Sequence, residues 1–567
     1  MFGFLQRANP PARRFTYLES LLLVSAIHIP MTLLFIEILV KSMSWETFLD
    51  GPMFMYSGFL MDHFGMAPMR DFFTYNMPGT HVLFRWLYHF FGNSILGMRL
   101  ADTTILAAVL LLFALVLKTF GWRVAWAGAV LFGILHVTLG MHCYLQRDYI
   151  GLVPLQLAIL ASTAWFEKKP RRRWLATGLF VGLLATIKPH LMIGGLLLYG
   201  YLLLDTNDDS PIPKRDRLIR AARILCWCGI GASIPALWMA AYLAYYGQLA
   251  AFIRVVAEYF PMHADISGEH VVFVKGDKLP YVIAHLFKDT AWDHLQIALG
   301  AGAGVSLFLA APTVPKSLRK YGGLLALLGL TFLIYPCIAA RFYEHHYYPF
   351  RLLSTVWVAF CLYQWNTETP LRIRLCAWSI SVYVIASLLY VNHNEDELLL
   401  PLSRSTGYFR TQVIVNWLRP RIQPGDTAQP IEWGFCGISH ALLLTETKLA
   451  THTIWGEVFF HHVSNPFVQD LRKDFVQQLA TSKPRFVIRS KTQMDYVDGE
   501  DCTEYFPGFD AFLSEHYFLA LDTKNFRIWE SNSSPTAAKD RELYTQSVAA
   551  TDVGPSDSKD ANDRTIR

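Results

Sequence analysis

Long apolar runs broken by short polar clusters fill the first 392 positions of the chain. A helix needs about 20 apolar residues to cross a hydrocarbon core of about 30 Å. The runs predict about eleven such spans, at 16–40, 100–119, 124–142, 149–166, 174–187, 189–204, 224–246, 295–312, 321–340, 347–365 and 375–392. The fifth and sixth are short and meet at "TIKPH" (Thr186–His190), where Pro189 breaks the helical ladder. They read either as spans or as two helices dipping into the membrane. Between the first two runs lies a long segment, 41–99. Its stretch Pro52–Gly65 has the pattern of an amphipathic helix lying in the membrane interface.

Beyond 393 the periodicity changes. "RTQVIVNWLRPRIQPGD" reads as an amphipathic helix with a Pro-Gly stop. "QPIEWG", "PRFVIRS" and "FRIWE" read as short strands, and "NPFVQDLRKDFVQQLATSK" as a further helix. The pattern therefore divides the chain into a transmembrane domain (1–392), a small α/β domain (393–530) and a Ser/Asp-rich tail (531–567) expected to be disordered.

Composition agrees with this division. Of 567 residues, 53% are hydrophobic and only 17% charged, against about 25% charged in soluble domains. The net charge of +5 says little in total, but its distribution says more. Basic clusters occur at the N-terminus, in "KKPRRR" (168–173), in "PKRDRLIRAAR" (213–223), in "KSLRK" (316–320) and in "RIR" (372–374). With a cytoplasmic N-terminus all of them fall inside, as the positive-inside rule requires, and the α/β domain falls outside. The first span is too long for a signal-peptide core and lacks a small-residue cleavage site, so it reads as retained. No basic motif of a nucleic-acid binder is present. Five of the eight cysteines sit in apolar runs as small hydrophobes; Cys436 and Cys502 in the α/β domain could equally be bonded or not.

Ionisable residues collect in the segments assigned to the outer face. "LDGPMFMY" places Asp50 where it either caps a helix or takes a proton. "MRDFFTYNMPGTHVLF" carries Arg70, Asp71, Asn76 and His81 among aromatic rings, and Arg70–Asp71 alone reads as a surface ion pair. "CYLQRDYIG" carries Arg147 and Asp148; Lys188 sits at the TIKPH junction, where it either snorkels to headgroups or serves a site. "ARFYEHHYYPFR" brings Arg341, Glu344, His345 and His346 together, with tyrosines suited to an interfacial belt. Adjacent histidines point apart on a helix, and no zinc pattern is present, so no metal ligand set is expected.

In their order, "LDGPMFMY", "MRDFFTYNMPGT", "FRWLYHFFGNSILGMRLADTTILAAV", "QRDYIGLVPLQLAIL", "GLFVGLLATIKPHLMI" and "EHHYYPF" resemble the GT-C superfamily of polyprenyl-phosphate-sugar-dependent glycosyltransferases. The nearest branch is the bacterial members akin to protein mannosyltransferases and lipid A aminoarabinose transferases. Two departures stand out. Gly51 replaces the second acid of the family's Asp-Glu, and Asn76 replaces the usual Lys before the Pro-Gly turn. The resemblance implies a GT-C transmembrane domain whose first outer loop, 41–99, carries the active site.

It further implies an inverting transfer of a hexosyl or pentosyl group from a polyprenyl-phosphate donor to an acceptor hydroxyl on an envelope glycan, lipid or protein. The reaction would occur at the outer face of the cytoplasmic membrane, without a cofactor. On this reading Asp50 is the general base and Asp148 a second supporting acid. Lys188, Arg341 and His346 hold the donor phosphate, while Arg70, Asp71, Asn76 and His345 order the loop or face substrate. A flippase of lipid-linked sugars would predict inverted repeats with matched broken helices, which the sequence lacks. A non-catalytic subunit of an envelope-assembly complex is the other rival, and the missing Lys would suit it.

Overall fold

The computed structural model describes residues 28–45, 50–166, 168–204, 213–286, 289–310, 314–363, 406–432, 437–491 and 499–542, with the isolated positions 379 and 545. Helices replace nearly every predicted span that falls on these residues. They run Ile29–Ser42, Ile95–Leu117, Trp122–Thr138, Leu152–Thr163, Pro170–Ile187, Met192–Leu204, Lys214–Tyr245, Asp289–Ala310, Lys316–Ala339 and Tyr348–Tyr363. The span expected at 375–392 lies, apart from position 379, outside the described residues. Among the described residues, three helical segments have the length and apolarity to cross a membrane: Ile95–Phe120, Lys214–Tyr245 and Lys316–Ala339. Large apolar side chains such as Leu33, Leu111, Leu196, Leu237 and Leu299 point outward from the bundle, as they do where lipid is the solvent.

Small residues set the closest helix pair. A Cβ on Gly178 would stand 2.0 Å from the Cys228 carbonyl oxygen, one on Gly231 2.1 Å from that of Leu175, and one on Gly182 2.5 Å from that of Ala232. The helices Pro170–Ile187 and Lys214–Tyr245 therefore touch backbone to backbone, the packing available to membrane helices that have no hydrophobic drive of their own. The TIKPH junction forms as expected: the first of these helices ends at Ile187, and a 3-10 turn, Pro189–Leu191, leads into Met192–Leu204.

The first loop departs from expectation. Its helix Asp50–Phe64 does not present a free face as an amphipathic surface helix would; every residue from Gly51 to Met61 is buried. It is covered on one side by the helix Pro78–Phe91, which Gly58 lets approach until a Cβ would meet the Phe84 carbonyl oxygen at 2.4 Å, and on the other by the C-terminal domain, where Tyr56 Oη donates to the Thr447 carbonyl at 2.9 Å. The amphipathic helix of this loop is Pro78–Phe91, which buries His81 and Phe84 and exposes Trp86 and Phe90.

The C-terminal domain is a five-stranded mixed sheet with helices. Strands β1 (Thr427–Ile431), β2 (Lys448–Leu449), β3 (Phe486–Ser490), β4 (Tyr517–Asp522) and β5 (Phe526–Ser531) stand in the order β2-β1-β3-β5-β4. β1 is parallel to β2 and β3, while β5 is antiparallel to β3 and β4. Folded structure continues past the expected limit at 530. Arg485 donates to Ser534 Oγ at 3.1 Å and Thr536 Oγ1 at 2.9 Å, and Asp540 is buried against Arg421. The polar composition of this stretch hid side chains that satisfy a buried arginine, so residues 531–542 are not disordered tail. Cys436 lies outside the described residues, and with it the question of a Cys436–Cys502 bond.

The glycine seam gives a direct test. Gly178→Ala should lower the detergent-solubilised protein's thermal unfolding temperature, because overpacking a tight contact costs about 1–3 kcal/mol. Gly229→Ala, on the partner helix with open space around its Cβ position, should leave it unchanged or slightly raised. Equal behaviour of the two variants would contradict the backbone contact.

Candidate active site

Two turns carry most of the chemistry, and one buried network holds both. In the helix Ile95–Leu117, Arg99 and Asp102 form an ion pair at 3.2 Å with both side chains only 1% exposed. Arg99 also donates to the Ser42 carbonyl at 2.9 Å and to Ser42 Oγ at 2.8 Å, and lies over the Tyr144 ring. Asp102 accepts from the Leu145 amide at 2.9 Å and meets His136 Nε2 at 3.3 Å. His136 Nδ1 in turn reaches Tyr348 Oη at 2.9 Å, which donates to the Cys143 carbonyl. Leu145, in the left-handed region at φ 55°, turns the chain into the single helical turn Arg147–Ile150. Tyr348 directly follows the 3-10 turn Glu344–Tyr347.

Arg147 leaves its turn toward the first loop. Its guanidinium bonds Asn76 Oδ1, approaches Asp50 Oδ2 at 3.6 Å and lies 5.0 Å over the Phe54 ring. The Asp50 carboxylate, first in its helix, is thus directed at a cation from the facing wall. Asp148 is buried and ion-paired with Lys188. Lys188 is held at its junction by Thr80 Oγ1 donating to the Ile187 carbonyl at 3.0 Å. Gly79 allows this approach, since a Cβ there would lie 2.5 Å from the Thr186 carbonyl oxygen. The Pro-Gly turn of the first loop is therefore fitted to the Lys188 junction.

The 341–348 segment supplies the third wall. Arg341 contacts His263 Nε2 at 2.9 Å and the Ile266 carbonyl at 3.4 Å, so its side chain braces the 249–264 helical segment. His346 Nδ1 donates to the Arg341 carbonyl at 2.9 Å. The His345 and His346 rings stand 4.6 Å apart and nearly perpendicular, and both face Asp148. Burial holds both imidazoles well below their usual pKa, with Lys188 pushing His346 the same way. They are neutral at pH 7.

The fourth wall comes from the C-terminal domain and carries a residue the sequence reading passed over. Glu457, 2% exposed, accepts from Tyr75 Oη at 2.6 Å. Burial raises its pKa to about 8, and the Asp50 charge adds to the rise. Beside it Trp455 packs on Phe54, Tyr75 and His81. Nothing in "HTIWGEVFF" marks Glu457 in the sequence; only the docking of Phe73 beside Thr453 brings it to the first loop.

Other expected residues fall elsewhere. Arg70 and Asp71 pair at 2.6 Å on a partly exposed surface, where Asp71 also accepts from the Ala67 amide and Arg70 donates to the Gly65 carbonyl. They order the turn that includes Met69 at φ 68°. His81 is fully buried between Ser57 Oγ and Thr74 Oγ1, both at 2.9 Å, and burial pushes its pKa down to about 3. It is a neutral clamp inside the loop. Asp50, Asn76 and Arg147 form one group, and Asp148, Lys188, His345 and His346 a second. Arg341 joins the second through His346 and packs against His263.

The sequence profile of the family described as Dolichyl-phosphate-mannose-protein mannosyltransferase matches residues 77–225. No curated protein matches the chain significantly. Among solved structures, ArnT from Cupriavidus metallidurans bound to undecaprenyl phosphate superimposes with a TM-score of 0.54 at 12% identity, covering 90% of this chain and 99% of that one. The archaeal oligosaccharyltransferase AglB from Archaeoglobus fulgidus, in complex with an inhibitory peptide and a dolichol-phosphate, aligns at 0.45 and 13% identity over 90% of this chain and 75% of its own. The chain has an ArnT-like fold, a helical bundle with a small C-terminal sheet domain.

Glu457 generates a pH prediction. Its folded pKa lies above its unfolded value near 4.5, so the stability that comes from its neutral form is complete below pH 4.5. That stability is lost as pH rises through about 8. Glu457→Gln should flatten the fall in unfolding temperature between those limits, measured in detergent. An unchanged slope would show that Glu457 is not buried neutral.

Proposed function

We propose that the protein transfers a sugar from a polyprenyl-phosphate donor to an acceptor hydroxyl at the extracytoplasmic face of the cytoplasmic membrane, with inversion at the anomeric carbon. The observation that carries this reading is Asp50 set against Arg147, with Lys188 in electrostatic reach, at the end of the bundle covered by the sheet domain. The GT-C fold and the mannosyltransferase profile support the same class of chemistry.

The reaction breaks the bond between the anomeric carbon and the phosphate oxygen. The acceptor oxygen forms the new glycosidic bond, and its proton passes to the Asp50 carboxylate. The phosphate leaves with the electron pair of the broken bond, so it needs stabilised negative charge more than a proton. Arg147 is placed to meet both events. It borders Asp50 and, through Asn76, occupies the corner where the resemblance expects a lysine. Lys188 and His346 meet the phosphate from the second group, while Asp148 orients Lys188. Arg341 contributes its charge from behind His346 and His263. Attack from the face opposite the leaving phosphate gives inversion, as in inverting glycosidases.

Purified protein incubated with a polyprenyl-phosphate hexose and envelope extract should release polyprenyl phosphate and glycosylate the extract. Movement of the donor across vesicles without bond cleavage would instead identify a flippase. Asp50→Asn preserves shape and helix capping, yet should lower turnover about 10²–10⁴-fold with unfolding temperature retained. Full transfer by this variant would remove Asp50 from the catalytic role.

A further inference from the structure

We propose that Asp148, His345 and His346 form a binding site for a divalent transition-metal cation, with an oxygen of the donor phosphate as a further ligand. The second part rests on the transferase reading above; the first does not.

Neighbouring side chains diverge on a helix, yet in the 3-10 turn Glu344–Tyr347 the His345 and His346 rings stand only 4.6 Å apart. One ligand atom from each of Asp148, His345 and His346 lies within 4.8 Å of the other two. Three ligands spread evenly about one metal with bonds of about 2.0–2.2 Å stand about 3.5–3.8 Å apart. A side-chain adjustment of about 1 Å thus suffices to close the site.

Two further features favour a cation. His346 donates its Nδ1 proton to the Arg341 carbonyl, which leaves the Nε2 lone pair available; metal-bound histidines are commonly oriented by such a bond. Asp148 gives Oδ2 to Lys188, while its Oδ1 is buried without a hydrogen-bond partner among the described residues. A buried carboxylate oxygen left without a donor is costly, and a metal would satisfy it. Two imidazoles and one carboxylate suit zinc, manganese, cobalt or iron better than calcium or magnesium.

Charge then dictates the partner. The protein ligands supply one negative charge, and Lys188 already sits on it, with Arg147 and Arg341 in electrostatic reach. A dication alone adds to a positive region. A phosphate oxygen fills an open coordination position and removes the excess charge in one step, so metal and phosphate should bind cooperatively.

Cobalt(II) is a suitable probe, because its visible absorption reports nitrogen and oxygen ligation. Full-length protein in detergent, stripped with chelator, should bind one equivalent of cobalt, at least tenfold more tightly with undecaprenyl phosphate present. His345→Gln and His346→Gln should each weaken binding at least tenfold, while His452→Gln, on an exposed loop, should not. Absence of a cobalt spectrum in the wild-type protein, with and without the lipid, would overturn the proposal; so would unchanged binding by both histidine variants. Sugar transfer that persists in chelator, with no cobalt bound, would remove the metal and leave the transferase reading intact. Cobalt bound on these three residues by a protein that transfers no sugar would do the reverse.

Discussion

The buried Arg99–Asp102 pair is the constraint on which the rest of the structure depends. Two charges at 1% exposure carry a large desolvation penalty, tolerable only when further hydrogen bonds satisfy both groups. Here the backbone supplies them. The Ser42 carbonyl takes Arg99, and the Leu145 amide binds Asp102. The pair therefore fixes the end of the helix Ile29–Ser42 and the start of the Arg147–Ile150 turn. Through His136 and Tyr348 it also fixes the helix that begins directly after His345 and His346. Breaking a buried pair on one side costs about 3–5 kcal/mol, and here it would also release both walls of the site. The helix bundle thus orders its chemistry through one internal polar node rather than through its loops.

A second principle governs the surface of the site, where no cation is left without an acceptor. Arg147 is shared by Asn76 and Asp50, Lys188 is held by Asp148, and Arg341 by His263. On the proposed transferase reading, an entering phosphate would compete with these partners rather than meet bare charge. The sheet domain takes part in this balance. Glu457, neutral at pH 7, stands near Asp50 without adding a full negative charge, and Tyr75 Oη donates to it. An ionised carboxylate at that place would repel an anionic ligand.

Much of this was legible in the sequence because it depends on local pattern. Apolar runs locate the helices, Pro189 locates the junction, and Gly79 locates a turn that only a residue without Cβ can make against Thr186. The charged residues were legible as a set but not in their roles. Arg70, Asp71 and His81 have the same composition signal as Asn76 and Arg147, yet the first three find hydrogen-bond partners within the first loop. Burial decides between these roles, and burial here is tertiary. The helix Asp50–Phe64 looks amphipathic because its polar face includes Ser57, but Ser57 bonds His81 inside the protein. Glu457 was invisible for the same reason: its distance from Asp50 is set by a domain docked through residues nearly four hundred positions away.

Asn76 is the most instructive departure from the family pattern, because taken alone it looks like a lost phosphate ligand. The geometry assigns it a different use. Asn76 is buried at 2% exposure, and its carbonyl oxygen holds Arg147 from the opposite wall. A lysine there would bring its charge to within reach of the Arg147 guanidinium, in a corner where Asp50 is the nearby acid, and two cations would then share one carboxylate. A neutral acceptor lets one arginine serve the corner instead, and a guanidinium offers five donors in a rigid fork where an ammonium offers three on a flexible stem. Position 76 thus gives up its charge while the corner keeps one, now supplied by the turn that Asp102 anchors. In this chain the cation of the corner comes from the Arg147–Ile150 turn rather than from the first loop.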